Sequence, residues 1–228
     1  MTSREPIRGI YFDLWNTLAF TEGSPNPIVA LASAFGLYPG PAWRRIMERA
    51  IMTRRLAGIG EAIEAIAAAT GRAISDGSSR RDLILMWGAA SNRNRLYADT
   101  LPGLEALRRS RSGGLPYRLG ILSNTQSFDL DFLDRAGLIP LMDAVCLSCD
   151  CGLLKPDPEI YRHAASRIGL LPEQILMVGD NPEDDIDGPR RAGFQAALLD
   201  RSRGGPETGS GALASISEIP VLLTASSP

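Results

Sequence analysis

The chain has 228 residues and a formal net charge of −2, and this near-zero charge argues against electrostatic binding of nucleic acid. Its single histidine, His163, excludes a multi-histidine metal site. The N-terminus lacks the pattern of a secretory signal, and no stretch reaches the roughly 20 apolar residues of a membrane span. We therefore expect a cytoplasmic enzyme with a small-molecule substrate and no nucleic-acid or membrane partner, as a monomer or a homodimer.

Two sparse residue types narrow the chemistry further. The three cysteines, Cys146, Cys149 and Cys151, are odd in number and clustered, which argues against a disulfide framework. Only one of the 24 basic residues is a lysine, Lys155, and all the others are arginine. Lysine carries a compact charge on a flexible stem, whereas arginine presents a planar fork. Lys155 is therefore a candidate for a role that arginine cannot take.

The predicted elements fall into three stretches along the chain. A short apolar run predicts a buried strand over residues 8–12. Apolar residues at helical spacing then predict four helices, over residues 28–35, 43–56, 61–69 and 81–96. Helices and strands alternate after that, with helices over residues 104–109, 128–136, 158–168, 186–192 and 216–223, and strands over 117–122, 144–148, 175–178 and 196–199. A Gly-rich loop is predicted over residues 204–211.

This order of elements predicts an α/β fold. Strands that alternate with helices form a parallel sheet covered on both faces. The all-helical stretch follows the first strand and interrupts this alternation. We expect a Rossmann-like, doubly wound core built from residues 1–18 and 98–228, with an inserted all-helical cap domain over residues 19–97.

Four short polar motifs stand where strands end or helices begin. Asp13 follows the first strand, and Ser123 and Asn124 follow the second strand of the predicted core. Lys155 opens a Lys-Pro-Asp-Pro motif before a helix, and Asp180 opens an acidic run after a later strand. Ligands of open parallel sheets bind beyond the carboxyl ends of the strands. The four motifs are therefore predicted to share one site.

The residue types in these motifs suit phosphoryl transfer. Asp13 and Asp180, with Asp184 or Asp185, supply the hard oxygen ligands that Mg²⁺ takes. The Ser123 hydroxyl and the lysine ammonium suit phosphoryl oxygens. An aspartate also acts as a nucleophile through an aspartyl-phosphate intermediate. Positioning and charge neutralisation supply most of the catalysis in such reactions.

In their order and spacing these motifs resemble those of the haloacid dehalogenase superfamily, over nearly the whole chain. The resemblance implies that Asp13 is the nucleophile and that Ser123 and Lys155 bind the phosphoryl group. It implies a Mg²⁺ ion held by Asp13, the backbone carbonyl of Trp15, Asp180 and Asp185, the last of which fits the family spacing better than Asp184. The helical insertion resembles the cap of this family, which closes over the substrate and excludes water.

Further candidate contacts to the substrate lie beside the motifs and in the predicted cap. They are Thr17, Asn124, Arg44 and Arg45. Haloacid dehalogenases carry an arginine on the first helices of the cap. In this chain Arg44 or Arg45 would take that part and pair with an anionic substrate.

One position departs from the pattern of the phosphatases in this family. They carry a second aspartate two residues after the nucleophile, which protonates the leaving group and then activates water. Trp15 stands there, and its indole cannot transfer a proton. Because general acid–base help is typically worth ~10²–10⁴-fold, the sequence predicts an impaired phosphatase, a leaving group that needs no proton, or different chemistry.

Two alternatives to a phosphatase follow from this departure. Haloacid dehalogenases place a tyrosine at the Trp15 position, attack carbon with the aspartate and need no metal. The intact Gly179-Asp180 pair argues against this interpretation, because the dehalogenase motif lacks it. The second alternative is a scaffold with little turnover that binds a ligand or a partner.

Overall fold

The computed structural model describes residues 5–23, 26–40, 42–74, 79–112, 114–202 and 212–225. The strands in these ranges are β1 (Gly9–Phe12), β2 (Ala19–Thr21), β3 (Asn94–Leu96), β4 (Arg111–Ser112), β5 (Leu115–Pro116), β6 (Arg118–Ser123), β7 (Ala144–Leu147), β8 (Ile175–Gly179) and β9 (Gln195–Leu198). The α-helices are α1 (Pro27–Ala34), α2 (Trp43–Ile51), α3 (Ile59–Thr70), α4 (Arg80–Ser91), α5 (Thr100–Arg109), α6 (Asp131–Arg135), α7 (Ser148–Cys151), α8 (Pro158–Ile168), α9 (Gly188–Arg191) and α10 (Ile219–Ala225).

A five-stranded sheet in the order β7-β6-β1-β8-β9 forms the centre of the fold, and all of its pairings are parallel. Every residue of β1 and β8 is buried, as expected of central strands covered on both faces. Ile10 of β1 lies opposite Leu119 of β6 and Leu176 of β8. The predicted α/β, Rossmann-like fold is confirmed.

Separate hydrophobic clusters cover the two faces of this sheet. One contains Ile10 and Phe12 of β1, and the other contains Tyr11 between them together with Tyr161 of α8. Side chains alternate between the faces of a strand, so three consecutive buried residues of β1 serve both clusters. The strand ends are thereby held rigidly at one edge of the sheet.

The helices α1–α4 share a hydrophobic cluster distinct from the two on the sheet; it includes Leu31, Met47, Ile51, Ile66 and Trp87, together with Leu154 of the core. Capping side chains define the start of two of them: Asn26 caps α1, and Ser79 and Asp82 form a capping box at the start of α4. On the basis of this separate cluster we propose the division into a core of residues 1–18 and 98–228 and a helical insertion of residues 19–97.

The structure corrects two of the predicted helices of the insertion. The helix predicted over residues 43–56 ends at Ile51. The helix predicted over residues 81–96 ends at Ser91, and Asn94–Leu96 is instead the strand β3, antiparallel to β2. Each of these strands has three residues, too few for alternation to reveal, and their pairing joins segments far apart in sequence. The β2–β3 pair joins the two segments through which the chain enters and leaves the insertion.

Other boundaries shift less. The helix predicted over residues 128–136 is limited to Asp131–Arg135. The helix predicted over residues 186–192 begins with a π-helical turn at Pro182–Asp187, and a 3₁₀ turn precedes α10. The loop predicted over residues 204–211 lies outside the described residues. Within the described ranges, no helix has both the length and the apolar character needed to cross a bilayer.

Candidate active site

The carboxyl ends of three neighbouring strands gather the first site residues. Asp13 directly follows β1, Ser123 ends β6, and Asp180 directly follows β8. The backbone N–H of Asp13 donates to the carbonyl of Val178 at 2.9 Å, which fixes the aspartate between the strands. The sheet therefore brings together groups that are 57 to 167 residues apart in sequence.

Lys155 reaches this edge from the loop between α7 and α8. Its side chain is 2% exposed, and its Nζ donates to Asp13 Oδ1 at 2.8 Å and to Asp185 Oδ1 at 2.6 Å. Burial alone would lower the Lys155 pKa, but the charges of Asp13 and Asp185 outweigh burial and raise the pKa above the usual value. The ammonium is therefore a permanent positive charge against two carboxylates.

Asn124 holds the backbone of this lysine. Its Oδ1 accepts from the Lys155 N–H at 2.9 Å, and its Nδ2 donates to the Lys155 carbonyl at 3.0 Å. The candidate substrate contact Asn124 thus positions Lys155 through both of its amide atoms. It also lines the cavity described below.

Three carboxylates meet around this ammonium. Asp13, Asp180 and Asp185 each offer an oxygen within 4.8 Å of the others. Burial, and then the charge of Asp13, raise the pKa of Asp180 to about 6. Burial also raises the pKa of Asp185, against the opposing effect of Lys155. A single ammonium leaves the cluster with excess negative charge, which favours a divalent cation.

The adjacent residues Asp184 and Asp185 point to different partners. In the π-helical turn, the Asn181 side chain accepts from the Asp184 N–H at 3.0 Å, while Asp185 Oδ2 accepts from the Asn181 N–H at 3.0 Å. Asp185 lies so close to Gly179 that a Cβ there would overlap its carboxylate. The structure therefore places Asp185 with Asp13 and Asp180, and Asp184 elsewhere.

The Trp15 indole lies at the side of the site, where two contacts hold it. Its Nε1 donates to Thr125 Oγ1 at 3.0 Å, and its ring stacks on Phe132 with a centroid separation of 6.4 Å. The indole lines the cavity, but its one N–H already has an acceptor. No titratable group stands at this position.

Two hydroxyls complete the catalytic end. Ser123 is 1% exposed, and its Oγ has no hydrogen-bond partner in the described part of the chain. Thr17 is fully buried, and its Oγ1 lies 3.5 Å from Asp180 Oδ1, while Asn16 Nδ2 lies 3.4 Å from Asp180 Oδ2. Ser123 therefore keeps a free donor, whereas Thr17 contacts the carboxylate of Asp180.

A cavity of about 390 Å³ extends from the carboxylates toward the helical insertion. It is lined by Asp13, Lys155, Asp180 and Asp185, and also by side chains that include Trp43, Met47, Met52, Trp87, Glu48 and Asp129. The sequence did not single out Glu48 or Asp129. Glu48 stands among alternating charges typical of a solvated helix face, yet it is 3% exposed.

The candidate substrate contacts Arg44 and Arg45 face carboxylates of the protein. Arg44 Nε donates to Glu48 Oε1 at 2.9 Å, and its Nη2 donates to Asp184 Oδ2. Arg45 donates to Glu48 Oε2 at 2.8 Å and to Asp184 Oδ1 at 3.1 Å, and it also contacts Glu183. Both arginines therefore join α2 to the π-helical turn of the core. Arg44 lines the cavity, and Arg45 is not among the residues that line it.

Comparison with known proteins places this arrangement in a family. A family model described as a haloacid dehalogenase-like hydrolase matches residues 7–193, and the chain belongs to this family of hydrolases. It is 39% identical over 102 residues to a phosphoserine phosphatase from Thermus thermophilus, an alignment that covers 44% of this chain and 40% of that protein. It is 33% identical over 104 residues to (S)-2-haloacid dehalogenase 4A from Burkholderia cepacia, covering 45% and 44% of the two chains. The alignments with these two relatives thus span less than half of their lengths.

The fold is also that of a solved phosphatase structure. The HAD phosphatase from Thermococcus onnurineus superposes with a TM-score of 0.60 and 21% identity, over 95% of this chain and 98% of that one. At this identity the match shows the shared fold. The named sequence relatives include both phosphatases and a dehalogenase, so the reaction has to be argued from the site.

Proposed function

We propose that the protein is a Mg²⁺-dependent phosphatase of a small phosphorylated metabolite, acting through an aspartyl-phosphate on Asp13. One observation carries the proposal: the Lys155 ammonium and the carboxylates of Asp13, Asp180 and Asp185 converge at one end of a cavity. This combination neutralises a phosphate ester while presenting an oxygen nucleophile to it.

In the proposed reaction, a carboxylate oxygen of Asp13 attacks phosphorus and the bond from phosphorus to the leaving oxygen breaks. Lys155, bonded to the same carboxylate, orients the nucleophile and offsets the negative charge of the transferring group. The unpartnered Ser123 hydroxyl is available to donate to a phosphoryl oxygen. Water then attacks the aspartyl-phosphate, which releases inorganic phosphate and restores the carboxylate.

The donor set fits Mg²⁺. Asp13, Asp180 and Asp185 supply carboxylate oxygens from three rigid positions, and we propose that the Trp15 carbonyl adds a fourth ligand. When bound, Mg²⁺ would act as a Lewis acid toward the phosphoryl oxygens. We propose that the helical insertion covers the site as a cap and excludes water, since its helices line the cavity.

Trp15 shapes the substrate range of this proposed phosphatase. No proton donor replaces the missing aspartate at that position, because the indole N–H is bonded to Thr125. A leaving group must then depart as a stable anion or take its proton from water. We therefore propose that phosphate esters of alcohols with a low hydroxyl pKa are hydrolysed faster than esters of ordinary alkyl alcohols.

A dehalogenase is the second candidate, favoured by the aromatic side chain of Trp15 and by one of the named relatives. In that reaction Asp13 would attack carbon, expel halide and be regenerated by hydrolysis of the ester. Such chemistry makes no use of Asp180. The three-carboxylate cluster therefore supports the phosphatase instead.

The deciding experiment is a panel of phosphorylated metabolites and 2-haloacids, assayed with and without Mg²⁺. The phosphatase proposal expects phosphate release that requires Mg²⁺ and is lost in Asp13→Asn. Metal-independent halide release that is lost in the same variant would establish the dehalogenase. A folded protein without either activity would leave the third possibility, a scaffold that binds a ligand or a partner.

A further inference from the structure

We propose that the leaving group of the substrate carries no carboxylate, so that the substrate is a phosphomonoester of a neutral or amine-bearing alcohol. This inference rests on the proposed phosphatase function and names the class of ester that its cavity accepts. It follows from the charges that line the cavity outside the phosphoryl site.

No cation among the described lining residues is left for a substrate carboxylate. Only Arg44 and Lys155 of those residues are cationic. Lys155 is bonded to Asp13 and Asp185, and Arg44 is bonded to Glu48 and Asp184. Each cation thus already faces two carboxylates. The Arg93 guanidinium lies next to Gly23, but Arg93 is not among the residues that line the cavity.

Asp129 adds a further carboxylate to the lining of the cavity, outside the group of Asp13, Asp180 and Asp185. Asp129 accepts from Trp87 Nε1 at 2.9 Å, from Ser91 Oγ at 2.7 Å and from Gln126 Nε2 at 3.1 Å. All three donors are neutral, and no described cation pairs with Asp129. A substrate carboxylate in this region would meet a like charge, whereas an ammonium group would meet an opposite charge.

Apolar side chains form another part of the cavity lining, namely Phe20, Val29, Trp43, Met47, Met52 and Trp87. A carboxylate moved from water against such side chains loses its hydration without gaining a partner. A site that leaves a substrate charge unpaired binds the charged substrate more weakly and leaves the binding of neutral substrates unchanged, which is a common source of specificity. The cavity therefore discriminates against carboxylated esters on two counts.

Two matched pairs of substrates isolate the carboxylate. O-Phosphoserine and O-phosphoethanolamine differ only by this group, and phosphoglycolate differs from ethyl phosphate by a carboxylate in place of a methyl group. We expect kcat/KM to be at least tenfold higher for the carboxylate-free member of each pair. Equal values, or a preference for phosphoserine or phosphoglycolate, would overturn the inference.

Parallel measurements separate this outcome from failure of the proposed function. Mg²⁺-dependent hydrolysis of p-nitrophenyl phosphate that is lost in Asp13→Asn would establish the phosphatase whichever member of a pair is preferred. Binding of the same four compounds to Asp13→Asn with Mg²⁺ present, measured by calorimetry, reports on the cavity without turnover. The dissociation constants should differ in the same direction by at least tenfold; no binding by either member would also count against the inference.

A substitution at Val29 tests the electrostatic cause. Val29 lines the cavity from α1 and is only partly buried, so a longer side chain has room to extend. Val29→Lys should raise the kcat/KM ratio of phosphoglycolate to ethyl phosphate at least threefold, because it adds an unpaired cation. Val29→Gln, of similar length without charge, should leave that ratio unchanged. An identical effect of both variants would show that shape, not charge, sets the preference.

Discussion

In the proposed phosphatase, Trp15 would stand where a proton donor is needed, and its N–H is bonded to Thr125 Oγ1. We expect Trp15→Asp to raise Mg²⁺-dependent kcat/KM for alkyl phosphates by about 10²-fold, the lower end of what general acid–base catalysis supplies. The gain should be small for p-nitrophenyl phosphate, whose leaving group needs no proton. Steady-state kinetics with both ester types measure it.

Trp15→Asn is the matched control, because asparagine has the size of aspartate and no titratable proton. Both variants lose the stacking on Phe132, and we expect a loss of about 1–3 kcal/mol in the free energy of unfolding. A gain in turnover that Trp15→Asn shares would mean that a wider cavity, and not proton transfer, limits the native protein.

Lys155 is a buried point charge that is bonded to two carboxylates. Its Nζ lies 2.8 Å from Asp13 and 2.6 Å from Asp185, so a guanidinium has no room to replace the ammonium without displacing a carboxylate. We expect Lys155→Arg to lower kcat at least 100-fold. The free energy of unfolding should fall by about 1–3 kcal/mol. Arg162→Lys, on an exposed side chain, is the control for the exchange of cation type. Near-normal kcat in Lys155→Arg would remove the lysine from the mechanism.

The docking of α2 on the π-helical turn depends on one buried carboxylate. Asp184 is 1% exposed and accepts from both Arg44 and Arg45. We expect Asp184→Asn to lower the free energy of unfolding by about 1–3 kcal/mol and to increase amide hydrogen exchange in α2, since charged hydrogen bonds are lost there.

The neighbouring residue Glu183 provides the control for that prediction. Its side chain is 64% exposed and, among the described residues, pairs with Arg45 alone. Glu183→Gln should change stability by less than about 0.5 kcal/mol, as is usual for an exposed ion pair. Equal effects of Glu183→Gln and Asp184→Asn would contradict the role given to the buried carboxylate.

The sequence predicts part of the site, and the contacts of the π-helical turn show which part it does not predict. The periodicity of apolar residues and the motifs at strand ends predict the parallel sheet and the convergence of Asp13, Lys155 and Asp180, because both follow from local patterns. They do not predict that Glu48 is buried against two arginines, since that depends on how α2 docks on a distant turn. The β2–β3 pair is missed for the same reason, being a contact between remote segments.

The charge balance of the protein as a whole links folding, pH and metal. The chain is nearly neutral, yet it concentrates Asp13, Asp180 and Asp185 around a single lysine. The Asp180 pKa is raised to about 6, mainly by burial, above the ordinary value of about 4. This group therefore contributes stability that is fully present below pH ~4 and is lost as the pH rises through about 6. Without metal, ionised Asp180 is therefore expected to lower the stability of the fold at neutral pH.

Mg²⁺ should reverse that dependence, because it binds the deprotonated carboxylates and competes with protons. In thermal unfolding with and without excess Mg²⁺, we expect the rise in Tm caused by Mg²⁺ to be largest above pH 7. Below pH 6 the Mg²⁺-induced stabilisation should fall by up to about 1.4 kcal/mol per pH unit, the free energy of one proton in competition. Asp180→Asn should abolish the Mg²⁺-induced shift at every pH, whereas Asp187→Asn, on an exposed side chain of the same turn, should preserve it. A shift independent of pH between 5 and 8 would show that Mg²⁺ binds away from these carboxylates.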